Sequence, residues 1–206
     1  MASSPKPRIG IFGGAFDPPH QGHLHSALET LADFKLDRVL LVPYHQSPMG
    51  KPGHASPEER LEMLRLAVQE HPGLEASDLE LKRGGSSYTI DTLRALRKTL
   101  GDVELFLILG RDAFEKIAEW KEAAELFRLA NLIVNSRPGH PKSVEKTNIP
   151  LVIRKRFTYN RSRSCWWDKE NALGIYKHAI TDLPVSSTQT RQAIRSGVHV
   201  QGALAP

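Results

Sequence analysis

The chain has 206 residues, with 28 Lys and Arg against 23 Asp and Glu, a formal net charge of +5 and a 40% apolar content, the size and balance of one α/β domain with a proper core. No apolar run approaches the length of a membrane span, residues 1–7 lack the apolar stretch of a signal peptide, and Cys165 is the only cysteine, which excludes an intrachain disulfide. A cytoplasmic location is the default expectation, and the basic balance suits polyanionic small molecules or nucleic acid.

In chain order, the short apolar run Arg8–Phe12 predicts a strand, and His23–Phe34, with Leu24, Ala27, Leu28 and Leu31 at helical spacing, predicts a helix. Between them stands Gly13-Gly-Ala-Phe-Asp-Pro-Pro-His-Gln-Gly-His23. Gly13 and Gly14 have no side chain to keep a phosphate away from their amides. The helix that follows would turn free N–H groups and its positive dipole end toward an anion, and His20 and His23, three apart, share one helical face. Read alone, the same residues also fit a plain tight turn. They do not form Gly-x-Gly-x-x-Gly, and no P-loop occurs in the chain. A zinc site would need a third ligand that no His-Glu-x-x-His or Cys pair supplies, so no metal ligand is assigned.

Further strands are predicted at Arg38–Val42, Leu79–Leu81, Glu104–Leu109, Leu132–Asn135 and Ile175–Thr181, and further helices at Pro57–Glu70 and Ile90–Leu100. Ser56, Pro57 and Glu59 make a capping box with proline at the first helical position. Strand and helix in repeated alternation predict an α/β fold with a single, doubly wound, mostly parallel sheet. Ligands of such sheets sit beyond the carboxyl ends of the strands, where Gly13, Gly110, Arg137 and Ser186 fall. The segment from Pro141 to Asn171, polar and basic through Arg154-Lys155-Arg156 and Arg161–Arg163, reads as a surface excursion of one domain covering residues 1–206. Near the end of the chain, Ser186, Ser187 and Thr188 cap a helical rhythm that runs to Arg195, with Arg191 one turn inside. Read alone this is an ordinary cap; beside the first motif it is a second phosphate clamp.

These pieces, with Ser56–Leu64, Glu80–Thr89, Ile108–Asp112, Trp120 and Arg137-Pro-Gly139, resemble the nicotinate-nucleotide adenylyltransferases of the nucleotidylyltransferase superfamily from Ile9 to about Gly197. The resemblance implies a Rossmann-like nucleotidylyltransferase fold. It also implies transfer of the adenylyl group of ATP to nicotinate mononucleotide in NAD biosynthesis, releasing pyrophosphate, with Mg2+ bridging the triphosphate and no protein nucleophile. By the same resemblance His20, His23 and Arg191 carry catalysis. Gly13, Gly14 and Phe16 receive the nucleotide, and Ser187 and Thr188 hold its outer phosphates. Tyr88, Thr89 and Trp120 take the pyridine ring, with the Thr89 and Lys121 amides on its carboxylate. Gly110 and Asp112 are expected near a ribose, and Arg137 on the mononucleotide phosphate. Where family members carry Pro-Pro-His and then Lys or Arg, this chain reads Tyr44-His-Gln-Ser-Pro-Met-Gly-Lys51, which leaves Lys51 or His45 to cover the triphosphate.

Three rival readings follow from the same residues: adenylylation of nicotinamide mononucleotide, adenylylation of phosphopantetheine, and binding of RNA through the basic 154–163 stretch without catalysis. Neither nucleic acid nor a membrane is the expected partner, and the oligomeric state stays open.

Overall fold

The structure is a computed structural model that describes residues 5–50, 53–136, 144–181 and 183–197. In chain order its elements are β1 (Arg8–Gly14), α1 (Gln21–Asp33), β2 (Arg38–Pro43), α2 (Pro57–Val68), β3 (Leu74–Ala76), α3 (Leu79–Arg83), α4 (Thr89–Leu100), β4 (Glu104–Gly110), α5 (Arg111–Glu115), α6 (Ala123–Leu129), β5 (Asn131–Ser136), α7 (Leu151–Arg154), β6 (Phe157–Asn160), β7 (Cys165–Asp168), β8 (Leu173–Ala179) and α8 (Ser187–Arg195). The eight strands form one sheet in the order β3-β2-β1-β4-β5-β8-β7-β6. The pairs β2–β3, β4–β5 and β5–β8 are parallel, while β7 runs antiparallel to both β8 and β6. This is the α/β, mostly parallel sheet that the alternation predicts. Among the described residues no helix is long and apolar enough to cross a membrane.

The chain gathers into two compact units. In the unit built from Phe12–Ser87 and the described chain after Ile180, β2 is buried along Val39–Pro43, as a parallel strand covered on both faces must be. The Ser56 hydroxyl accepts from the Glu59 amide and the Glu59 carboxylate accepts from the Ser56 amide, so α2 starts at the predicted capping box. These bonds, backbone and side-chain alike, hold the Glu59 carboxyl below its ordinary range.

The predicted strand at Leu79–Leu81 is a helix instead. The strand lies at Leu74–Ala76, and Leu79–Arg83 makes a single helical turn or so that closes on Gly84 at φ 69°, a left-handed conformation that costs glycine little. The apolar-polar-apolar run Leu79-Glu80-Leu81 copies the strand period, but it is too short for periodicity to separate the two structures.

In the unit built from the chain up to Ile11 and Tyr88–Ile180, β5 is buried at every residue and β4 at Leu105–Leu109. The segment expected to be an irregular excursion contributes α7 and the β6–β7 hairpin, which extends the sheet past β8. Its pattern is illegible because each strand has four residues and one inward position is a charge. Asp168, wholly buried, accepts from Arg156 and from the Asn171 amide group, and also caps the Glu170 N–H. A buried carboxylate so fully bonded is tolerated, yet in sequence it reads as a loop residue. Cys165 lies beneath the same hairpin, where burial pushes its thiol up; Tyr176 beside it is pushed up to about 12, again by burial. Neither is a poised nucleophile.

Candidate active site

The apolar run Ile9–Phe12 carries the chain through the sheet and delivers Gly13 and Gly14 to the carboxyl end of β1. A side chain at Gly13 would meet no protein atom within 4 Å, so the space beside its Cα is open to a ligand. Beneath Gly14 lies the Phe16 ring, 3.0 to 3.3 Å from where a Cβ would stand. Phe16, which the resemblance places at the nucleotide, is fully buried, with its ring edge-on to His23 at 5.0 Å and to Phe12 at 5.9 Å. Its side chain therefore supports the turn from below, and only its backbone can face a ligand.

His20 and His23 meet as the spacing predicts. His20 caps α1, and the two imidazoles stack with centroids 3.7 Å apart. The backbone N–H of His20 donates to His23 Nδ1 at 3.3 Å. An N–H can only donate, so this bond fixes the neutral His23 ring as the tautomer with its proton on Nε2, which is thereby an N–H donor. Gly22 makes the approach possible, because a Cβ there would come within 3.1 Å of the His20 ring and 3.3 Å of Val185.

The second clamp comes to the same turn. Ser186 caps α8 by accepting from the Gln189 amide, and Ser187 donates its hydroxyl proton to the Pro18 carbonyl at 3.0 Å. Arg191 donates to the Asp17 carbonyl and, at 3.3 Å, to the Thr188 hydroxyl. The sequence reading sends Arg191 to phosphate; here one of its five N–H donors fastens α8 to the Gly13–His20 turn and a second stays within α8. Ser187 is likewise engaged through its hydroxyl, so what it offers an anion is the N–H of the first residue of α8.

Of the acceptor-side candidates in the other unit, the structure brings Tyr88 and Lys121 into contact. Thr89 is the first residue of α4, capped by Tyr88. Lys121 does not open a helix as the sequence reading has it. It lies two residues before α6, and its ammonium sits 4.6 Å from the Tyr88 ring centroid and 2.9 Å from an Asp91 carboxylate oxygen. Trp120 is half-buried and lines an open groove of about 400 Å3 with Pro150, Leu151 and Val152. Gly110 ends β4 and caps α5; Asp112, exposed in the first turn of α5, is not the cap. Lys51 and Arg137 fall outside the described residues. The His45 Nδ1 lies 3.1 Å from the Gly85 carbonyl and its backbone N–H donates to the Ser87 hydroxyl. No group of three or more His, Cys, Asp or Glu able to hold a metal occurs among the described residues.

The sequence model of the cytidylyltransferase-like family matches residues 11–193. A protein of Desulfatibacillum aliphaticivorans named "Probable nicotinate-nucleotide adenylyltransferase" is 40% identical over 97% of this chain and 93% of its own length. The chain belongs to that family. A second such protein, from Geotalea daltonii, is 39% identical over 96% of this chain and 91% of its own length. Among solved structures, Plasmodium falciparum nicotinic acid mononucleotide adenylyltransferase complexed with NaAD superposes with a TM-score of 0.68 at 16% identity, covering 97% of this chain and 91% of that one. At that identity the likeness establishes the fold alone. Within the family frame, the open space above Gly13 predicts a clean separation of binding from folding. Gly13→Ala should leave the melting temperature unchanged and raise the KM for ATP, measured by steady-state pyrophosphate release. An unchanged KM would mean that the nucleotide does not approach this amide.

Proposed function

We propose that the chain transfers the adenylyl group of ATP to nicotinate mononucleotide, giving nicotinate adenine dinucleotide and pyrophosphate, as one step of NAD biosynthesis in the cytoplasm. The whole chain is one nucleotidylyltransferase domain. The reading rests on the two clamps of one turn: the open space beside Gly13 and the stacked His20–His23 pair on one side, and the α8 terminus fastened by Ser187 and Arg191 on the other.

The chemistry asks for little more. A phosphate oxygen of the mononucleotide attacks the α-phosphorus of ATP in line, the bond from that phosphorus to the α,β-bridging oxygen breaks, and pyrophosphate leaves with the electron pair. The attacking oxygen is already an anion, so no protein base and no covalent enzyme intermediate is required. The work is alignment and neutralisation of the charge growing on the leaving group. His23 Nε2 donates to the α-phosphate, His20 supports it, and the free amides of α8 at Ser187 and Thr188 hold the outer phosphates, with Arg191 keeping that helix in place. Magnesium enters as part of the substrate, MgATP, on the triphosphate's own oxygens. On the acceptor side Tyr88 and Trp120 flank the pyridine ring, the Thr89 amide meets its carboxylate, and Gly110 and Asp112 lie by the ribose. Arg137 takes the mononucleotide phosphate and Lys51 covers the triphosphate.

The test is a panel of acceptors with MgATP. Nicotinate mononucleotide should yield dinucleotide and pyrophosphate in equal amounts. Turnover confined to phosphopantetheine, or none with any acceptor, would overturn the assignment.

A further inference from the structure

Arg60, in the first turns of α2, is the largest fully buried side chain of the described protein, at 1% exposure. Its guanidinium donates to three carbonyls from three different stretches of backbone. Nη1 reaches Ala15 at 2.8 Å, inside the Gly13–His20 turn; Nη2 reaches Tyr44 at 2.7 Å, just past β2; Nε reaches Ala55 at 3.3 Å, ahead of α2. The Tyr44 ring lies against the cation, 4.4 Å from centroid to guanidinium carbon. All three bonded partners are backbone carbonyls, and the Asp17 carboxylate approaches the same place without bonding the guanidinium in any of these three contacts: its Oδ2 and Arg60 Nε stand 3.5 and 3.3 Å from where a Gly53 Cβ would be.

Burying a cation in that way is costly, and α2 could have been packed with a leucine if packing were the only need. What the arginine supplies is a rigid planar fork whose first prong holds the Ala15 carbonyl. That carbonyl is the hinge of the turn: on one side are Gly13, with open space beside its Cα, and Gly14, on the other Phe16, at φ 49° in the left-handed region. Asp17 adds a parallel tie, its Oδ2 accepting from the His54 N–H at 2.6 Å. The segment leading into α2 is thereby bonded to the turn at both Ala15 and Asp17.

We infer that Arg60 is a positioning residue for adenylyl transfer, holding the peptide planes of the Gly13–Phe16 turn in the orientation that receives the triphosphate. The inference rests on the assignment of that turn to ATP. Arg60→Lys keeps the charge but replaces the fork by a point donor that cannot hold three carbonyls at once. Because a misplacement of about 1 Å can cost on the order of 100-fold, kcat/KM for ATP should fall about tenfold to a hundredfold, with the KM for nicotinate mononucleotide unmoved. Gly53→Ala is the second variant. Its Cβ would stand 2.9 Å from the Ala55 carbonyl and 3.3 Å from Arg60 Nε, so it wedges the fork without removing it; the KM for ATP should rise in the same direction by less. Should Arg60→Lys fail to fold, Gly53→Ala decides. A purely structural arginine would leave the KM for ATP unchanged in whichever variant folds, with kcat falling only in proportion to the folded fraction, and that result overturns the inference. His23→Ala, run alongside, separates the two claims. If it stays active and Gly13→Ala also leaves the KM for ATP unchanged, the turn is not the ATP site. If it is inactive while the Arg60 and Gly53 variants bind ATP normally, only the positioning role fails.

Discussion

His23→Ala loses about 100-fold to 1000-fold in kcat while the KM for ATP changes little. The size is that of removing one preorganised donor from a site where negative charge grows in the transition state, and the split follows from geometry. The His20 amide fixes His23 Nδ1 as an acceptor, so Nε2–H is aimed before substrate arrives and needs no reorganisation during the reaction. In the proposed site ground-state ATP is held mainly elsewhere, by the backbone at Gly13 and the N-terminus of α8. The substitution also removes the partner of the Phe16 ring at 5.0 Å. Steady-state pyrophosphate release is therefore normalised to folded protein by melting curves. Near-normal turnover in the folded variant would mean that His23 is only a wall of the turn.

Nicotinate mononucleotide is preferred over nicotinamide mononucleotide by about tenfold to a hundredfold in kcat/KM. The physical source is the first N–H of α4, a twelve-residue helix whose opening amides have no intrahelical acceptor and lie at its positive end. A pyridine carboxylate accepts from the Thr89 amide in either orientation. A carboxamide has one acceptor and one NH2, and leaving a buried donor facing a donor costs on the order of 1 to 3 kcal/mol. The Lys121 ammonium does not add a direct charge, because Asp91 already engages it at 2.9 Å beside the Tyr88 ring. Asp91 in the first turn also weakens the field of α4 for an anion, which keeps the expected ratio at tenfold to a hundredfold rather than higher. Parallel kcat/KM measurements with the two mononucleotides decide the matter; equal values would place recognition away from the ring substituent.

What the sequence discloses here depends on whether the determining interaction is local. The α2 cap at Ser56–Glu59 and the buried runs of β2, β4 and β5 are local patterns, and each appears where it was expected. The His20–His23 pair is local too, since a spacing of three at a helix start leaves few other arrangements. Leu79–Leu81 misleads because three residues carry no reliable period. The β6–β7 hairpin is hidden because its buried Asp168 is made acceptable by Arg156 and Asn171, partners that periodicity does not reveal. Arg60 stands in the quoted α2 segment with nothing to distinguish it from a surface arginine. Its meaning lies in three carbonyls 5, 16 and 45 residues away, and the one available signal is its place on the same helical face as the buried Leu64 and Ala67. Arg191 is singled out by the cap motif, but its bond to the Asp17 carbonyl is not legible, because that partner comes from the far end of the chain.

The central claim is that the Gly13–His23 turn and the start of α8 together hold the triphosphate of ATP. A crystal structure of the chain with a non-hydrolysable ATP analogue and Mg2+ tests it most directly. The account places the α-phosphate within hydrogen-bonding distance of His23 Nε2, the outer phosphates on the amides of Ser187 and Thr188, and nucleotide density over Gly13. A triphosphate bound to the basic β6–β7 hairpin, with the turn empty, would contradict it.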